Sequence, residues 1–164
     1  MRIALLGYGT VGSGVVEVLE RNREIISARA GKEIEVKYIL DLKDFSGQKI
    51  QEKIVHEYDI ILNDEEVEIV VEAMGGIEPA YTYVKNALLA GKSVVSSNKA
   101  LVAKYGAELM KIAREKHVNF LFEASVGGGI PILRALGSSL TGDEIEKITG
   151  ILNGTTNYMM TKMF

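Results

Sequence analysis

Gly7, Gly9 and Gly12 spell G-x-G-x-x-G directly after the short apolar run of residues 2–6. They stand before Val15, Val16, Val18 and Leu19, whose spacing suits the inner face of a helix. Strand, turn and helix thus arrive in the order a dinucleotide site requires. Gly7 allows the tight turn out of the strand, Gly9 lets backbone approach a pyrophosphate, and Gly12 lets the helix pack close to the strand. The phosphates then meet unpaired N–H groups at the positive end of that helix. In a chain with 17 glycines the bland reading is a glycine-rich turn without a ligand. The place of the motif, after an N-terminal apolar strand, favours a dinucleotide cradled by Gly7, Tyr8, Gly9, Thr10, Val11 and Gly12.

Three further stations follow at the ends of apolar runs. Asp41 closes residues 34–40, where a carboxylate in such a fold accepts hydrogen bonds from the adenosine ribose hydroxyls. It stands 29 positions after Gly12 instead of roughly 20, so a simple turn residue stays open as a reading. Met74 and Gly75 end the run 68–74 and bring side-chain-poor backbone to the edge where open α/β sheets bind ligands. Ser97-Asn98-Lys99 follows the run 93–96. An ammonium at Lys99 can hydrogen-bond a carbonyl or alkoxide oxygen as hydride is delivered, with Ser97 and Asn98 on the nicotinamide side. On its residues alone, Lys99 reads equally as a solvated lysine at a helix start. His56 and His117 have no second ligand at metal spacing and read as surface or structural groups.

These stations need strands and helices in alternation. Residues 10–29 have a helical pattern with Val11, Val15, Val18, Leu19, Ile25 and Ile26 inward, and Gly31 stops it. Residues 42–58 read as surface connection with a short helix or strand. A helix with Pro79 near its start runs to a stop at Gly91. Residues 105–116 form another, with Leu109, Ile112 and Ala113 inward, and 119–124 form the fifth strand. The expected fold is α/β, a Rossmann-type doubly wound and mostly parallel sheet over residues 1–131. Residues 132–164 begin a second domain, with a helix at 132–140, a strand at 145–152 and a last helix capped by Thr155. That last helix is apolar at Met159, Met160, Met163 and Phe164 without covering partners, which suggests a truncated chain.

Composition narrows the class. With 47% hydrophobic and 25% charged residues the chain is ordinary for a soluble domain, and a net charge of −3 leaves no footprint for nucleic acid or an anionic membrane. It has no cysteine, hence no disulfide, thiolate metal site or cysteine nucleophile. No apolar stretch approaches the ~18 residues of a membrane span, and the expected location is cytoplasmic.

Four segments together resemble homoserine dehydrogenase along the whole chain: residues 7–12, Ser97-Asn98-Lys99-Ala100, the glycine turn from Glu123 to Pro131, and Gly150-Ile-Leu-Asn-Gly-Thr-Thr-Asn157. The resemblance implies an NAD(P)-dependent oxidoreductase interconverting aspartate semialdehyde and homoserine, on the route to threonine, methionine and isoleucine, and a homodimer for the full enzyme. It implies an active-site role for Lys99, and a sodium site built from Glu123, Val126, Gly128 and Ile130. A hard cation suits such oxygen ligands, although a bent interdomain connection explains the same residues.

Two departures from the family pattern bear on function. Many NADP-using members carry arginine just before the strand-ending aspartate, where this chain has Leu40. NAD is therefore favoured over NADP, with Lys43, Lys49 or Lys53 as substitute phosphate partners, and arginine at position 40 is expected to move preference toward NADP. The family's acidic substrate-binding residues and its principal catalytic lysine lie beyond Asn157, outside this chain. Cofactor binding without activity is the expected behaviour. The alternatives are a non-catalytic Rossmann sensor module and another amino-acid or aldehyde dehydrogenase.

Overall fold

Strand β1 (Arg2–Leu6) is buried at four successive positions, as a parallel strand covered on both faces must be. The computed structural model describes residues 1–151 and 153–163. Around β1 lie β2 (Glu35–Leu40), the two-residue β3 (Ile54–Val55), β4 (Val67–Glu72), β5 (Ser93–Ser96) and β6 (Phe120–Leu121). Their order is β3-β2-β1-β4-β5-β6, and every pairing is parallel. Chain progression reverses between β1 and β4, which makes the carboxyl end of β1 the switch point where ligands of such sheets bind.

The side-chain period of two splits β1 between two cores. Ile3 and Leu5 pack with Val16, Val36 and Ile39 on one face. Ala4 and Leu6 pack on the other face with Val84, Leu88, Leu101 and Leu109. The second face is covered by α4 (Ala80–Leu89) and α5 (Lys99–Glu115), and α3 (Tyr58–Leu62) adds Tyr58 and Ile61 to the same core.

The first helix differs from expectation. It is α1 (Thr10–Arg21) followed, after a break at Asn22, by α2 (Arg23–Ala30), which buries nothing. The buried positions of α1 are Gly12 and Val16, while Val11, Val18 and Ile25 are exposed. Contact at Gly12 sets the facing side of α1, and Val16 follows one turn later. Val11 and Val18 fall off that line. Residues 42–58 carry a single 3₁₀ turn (Lys49–Lys53) and β3. Helix α5 begins six residues earlier than its apolar periodicity suggested, because Asn98 accepts a hydrogen bond from Leu101 N and caps it.

Beyond Pro131 come α6 (Ile132–Ser139) and α7 (Gly154–Met163). The expected strand at 145–152 is absent among the described residues, with Leu152 outside them. Residues 144–151 have no regular structure, and Ile145, Ile148 and Ile151 are exposed. Alternating apolar residues make a strand only beside a partner that takes up their backbone groups. The cap of α7 is Asn153, whose Oδ1 accepts from Thr156 N at 2.9 Å, and not Thr155.

Candidate functional site

The glycine turn owes its shape to two contacts. Gly7 has φ +93°, and its N–H donates to Leu40 O at 2.8 Å. A Cβ on Gly12 would stand 2.1 Å from Gly7 O, so α1 lies against the turn with no room for any side chain. Gly9 is the opposite case, since a Cβ there would meet nothing within 4 Å. Gly9 is the N-cap of α1 and supplies no side-chain cap, and the first turn holds no acidic residue. The first N–H groups and positive end of α1 are thus left to an anion, with the open space at Gly9 for its approach.

Beside this turn, an open cleft of about 400 Å³ runs along the carboxyl ends of β1, β2 and β4. Asp41 stands at its β2 side, with Oδ2 accepting from Tyr8 N at 2.8 Å and Oδ1 from Lys43 N at 2.9 Å. Each oxygen retains acceptor capacity. Met74, Gly75, Pro79 and Tyr83 give the cleft an apolar wall.

Of the three lysines considered as phosphate partners, Lys43 lines the cleft. Lys53 instead donates to Val36 O at 2.7 Å. Leu40 is 7% exposed and belongs to the core, so arginine there would have to be buried. Leu42 is 94% exposed and lines the cleft next to Asp41. The position suited to a guanidinium is therefore 42.

His56 lines the same cleft, which its distance in sequence concealed. The pairing of β3 with β2 returns it to Asp41, whose carbonyl oxygen is 2.7 Å from His56 Nδ1. That hydrogen bond raises the imidazole pKa above its usual value, and the neighbouring Asp44 carboxylate adds to the effect. A two-residue strand carries no periodic signal from which this could have been read.

On the β5 side, Lys99 is exposed as the first residue of α5, and Ser97 is half-buried. Asn98 is buried, and its side chain is engaged in the fold. Nδ2 donates to Gly76 O at 2.5 Å, and Oδ1 accepts from Leu101 N at 3.1 Å. It places Lys99 and Ser97 through the backbone.

Glu123 lies in a 3₁₀ turn after β6, where its two oxygens accept from Leu133 N and Arg134 N, both at 2.8 Å. It thereby holds the N-terminus of α6. Ile130 O accepts from Ile132 N at 2.8 Å, and Gly127 and Gly128 turn the backbone between Val126 and Ile130 through positive φ. One carboxylate with carbonyl oxygens suits a hard cation in donor chemistry, and each Glu123 oxygen keeps a second lone pair.

A family model described as the NAD binding domain of homoserine dehydrogenase matches residues 7–123, and a second, described as homoserine dehydrogenase, matches 131–164. The chain belongs to the homoserine dehydrogenase family. It is 44% identical to a homoserine dehydrogenase of Lactococcus lactis, over 99% of this chain and 39% of that protein. It is 41% identical to that of Bacillus subtilis, over 99% and 38%. The chain thus spans well under half the length of these relatives. A homoserine dehydrogenase structure from Thiobacillus denitrificans superimposes with TM-score 0.90 at 43% identity, over 99% of this chain and 38% of that one. A hyperthermophilic archaeal homoserine dehydrogenase in complex with NADPH superimposes with TM-score 0.83 at 29% identity, over 99% and 56%. These similarities support binding of a nicotinamide dinucleotide, and no helix among the described residues is long and apolar enough to cross a membrane.

Proposed function

We propose that residues 1–131 are the dinucleotide-binding part of an enzyme that transfers hydride between NAD(P)H and aspartate semialdehyde to give homoserine. The observation that carries the reading is the contrast between Gly12, closed against Gly7, and Gly9, open before the uncapped α1. In it the α1 N–H groups receive the pyrophosphate and Asp41 accepts from the adenosine ribose. Apolar surface at Pro79 and Tyr83 takes the adenine side, the backbone at Met74 and Gly75 passes under the nicotinamide half, and the Lys99 ammonium stands where the substrate oxygen gains charge. When bound, the dinucleotide supplies the hydride chemistry.

Family membership supports this reading, as does the NADPH complex of the archaeal relative. NAD preference rests on Asp41, which repels a 2′-phosphate, and on the lack of an arginine at position 42. Sodium at Glu123 with the Val126, Gly128 and Ile130 carbonyls rests on their donor chemistry. The homodimer and the cytoplasmic location rest on family resemblance. Calorimetric titration with NADH of the chain and of its Gly9→Val variant tests the core of the proposal. Tight binding by the former and loss of at least about tenfold by the latter is expected; equal affinities refute it.

A further inference from the structure

Glu72, the last residue of β4, is 0% exposed although Ile69, Val70 and Val71 before it are apolar. Burial raises its carboxyl pKa, while hydrogen bonds from Ser96, Met74 and Asn98 act in the opposite direction. A carboxyl group in such a place costs stability relative to an apolar side chain unless donors satisfy it. Here they converge from two strand ends. Strand register sets Glu72 beside Ser96, whose hydroxyl donates to Oε2 at 2.5 Å. Met74 N donates to Oε1 at 2.8 Å, and Asn98 Nδ2 approaches the same oxygen at 3.4 Å. Ser96 Oγ in turn accepts from Asn98 N at 3.1 Å, and Asn98 also holds Gly76 O and Leu101 N.

The joined segments both belong to the dinucleotide edge of the sheet. Residues 74–76 follow β4, with Met74 and Gly75 on the cleft wall, while residues 96–99 lead into α5 and end at Lys99. The adenine half has separate anchors, because Gly7 N is held by Leu40 O and Tyr8 N by Asp41. In a sheet of this topology the dinucleotide crosses the switch point from the β2 side toward β4 and β5. The Glu72 network therefore lies under its second half.

We propose that Glu72 is a positioning residue for the nicotinamide half of the dinucleotide: it ties the backbone after β4 to the segment after β5 and so fixes where Lys99 begins α5. The assignment rests on the dinucleotide reading above. Glu72→Gln keeps the size of the side chain but turns an NH₂ toward the Ser96 or Met74 donor, which loosens the joint without opening a cavity.

The test is calorimetry on the whole chain with two probes, NADH and ADP-ribose, beside melting by circular dichroism. Glu72→Gln is expected to weaken NADH binding by about tenfold and ADP-ribose binding by less than about twofold. Ser96→Ala removes one donor without adding a misplaced one. It is expected to give the same split at smaller size, and it decides the matter if the glutamine variant does not fold. A merely structural role moves both probes together, so equal weakening, no weakening, or loss of fold in both variants overturns the assignment. Failure of the unaltered chain to bind either probe overturns the dinucleotide reading and this assignment with it; normal binding with an unsplit response overturns this assignment alone.

Discussion

Adding a side chain at Gly12 and adding one at Gly9 are different experiments. At Gly12 the new Cβ would sit 2.1 Å from a backbone oxygen, and neither backbone can yield without moving α1 off β1. Overpacking of this kind costs about 1–3 kcal/mol, so Gly12→Ala should lower the melting temperature by about 5 to 10 °C. At Gly9 the space is empty, and Gly9→Val should melt within about 3 °C of the parent while losing the dinucleotide. Scanning calorimetry with and without NADH separates the two, and a common response at both positions would contradict the cradle geometry. Leu42→Arg places a guanidinium on exposed cleft surface beside Asp41 and should raise NADP affinity relative to NAD by about fivefold. Leu40→Arg should mainly destabilise, because position 40 is core. Titration of both variants with both cofactors checks this, and a ratio that moves only in the position-40 variant refutes it. The tight turn at Gly7 and the close approach at Gly12 were legible because strand, turn and helix follow one another directly in sequence. The burial of Leu40 and the return of His56 to Asp41 were not, since both depend on how β2 is paired.

Among the elements, β5 was readable at both boundaries because Gly91 and the Ser97-Asn98 turn punctuate a short buried run. The start of α5 at Lys99 agrees with the reading of that lysine at a helix start, whereas the apolar periodicity points only to 105–116; the sharper signal is Asn98, a cap residue three positions before buried Leu101. The strand expected at 145–152 failed for lack of a partner, which no local pattern reveals. Element ends also set the pH response of the fold. Lys37 on β2 is clamped by Asp64 and Glu66, which precede β4. The hydrogen bond from Lys37 holds the Asp64 carboxyl at about 2, below its ordinary 3.8. A depressed carboxyl contributes stability that is complete above the unfolded value and is lost as pH falls through the folded one. The parent should therefore lose melting temperature more steeply between about pH 4 and pH 2 than Asp64→Asn does. Parallel slopes would show that the clamp does not act on folding.

For the molecule as a whole, the question is where the independently stable unit ends. Among the described residues all six strands lie before residue 122, and both cores are built from residues no later than Phe122. The described residues from 132 onward bury nothing, and the connection to them passes through Glu123, whose oxygens hold Leu133 N and Arg134 N. Removing α6 exposes the Glu123 carboxylate to water, which hydrates it, and takes no residue from either core. A chain ended at residue 131 should therefore melt within about 3 °C of the 164-residue chain and bind NADH within about twofold. It should also bind less of an apolar dye, since Ile145, Ile148, Ile151, Met159 and Met160 are exposed in the longer chain. Neither chain should oxidise homoserine at ~1 per second or faster, the range of typical enzymes, if the acidic and lysine residues of the substrate site lie beyond Asn157 as the family resemblance implies. A large fall in melting temperature on shortening would place α6 inside the dinucleotide domain and move its boundary beyond residue 131.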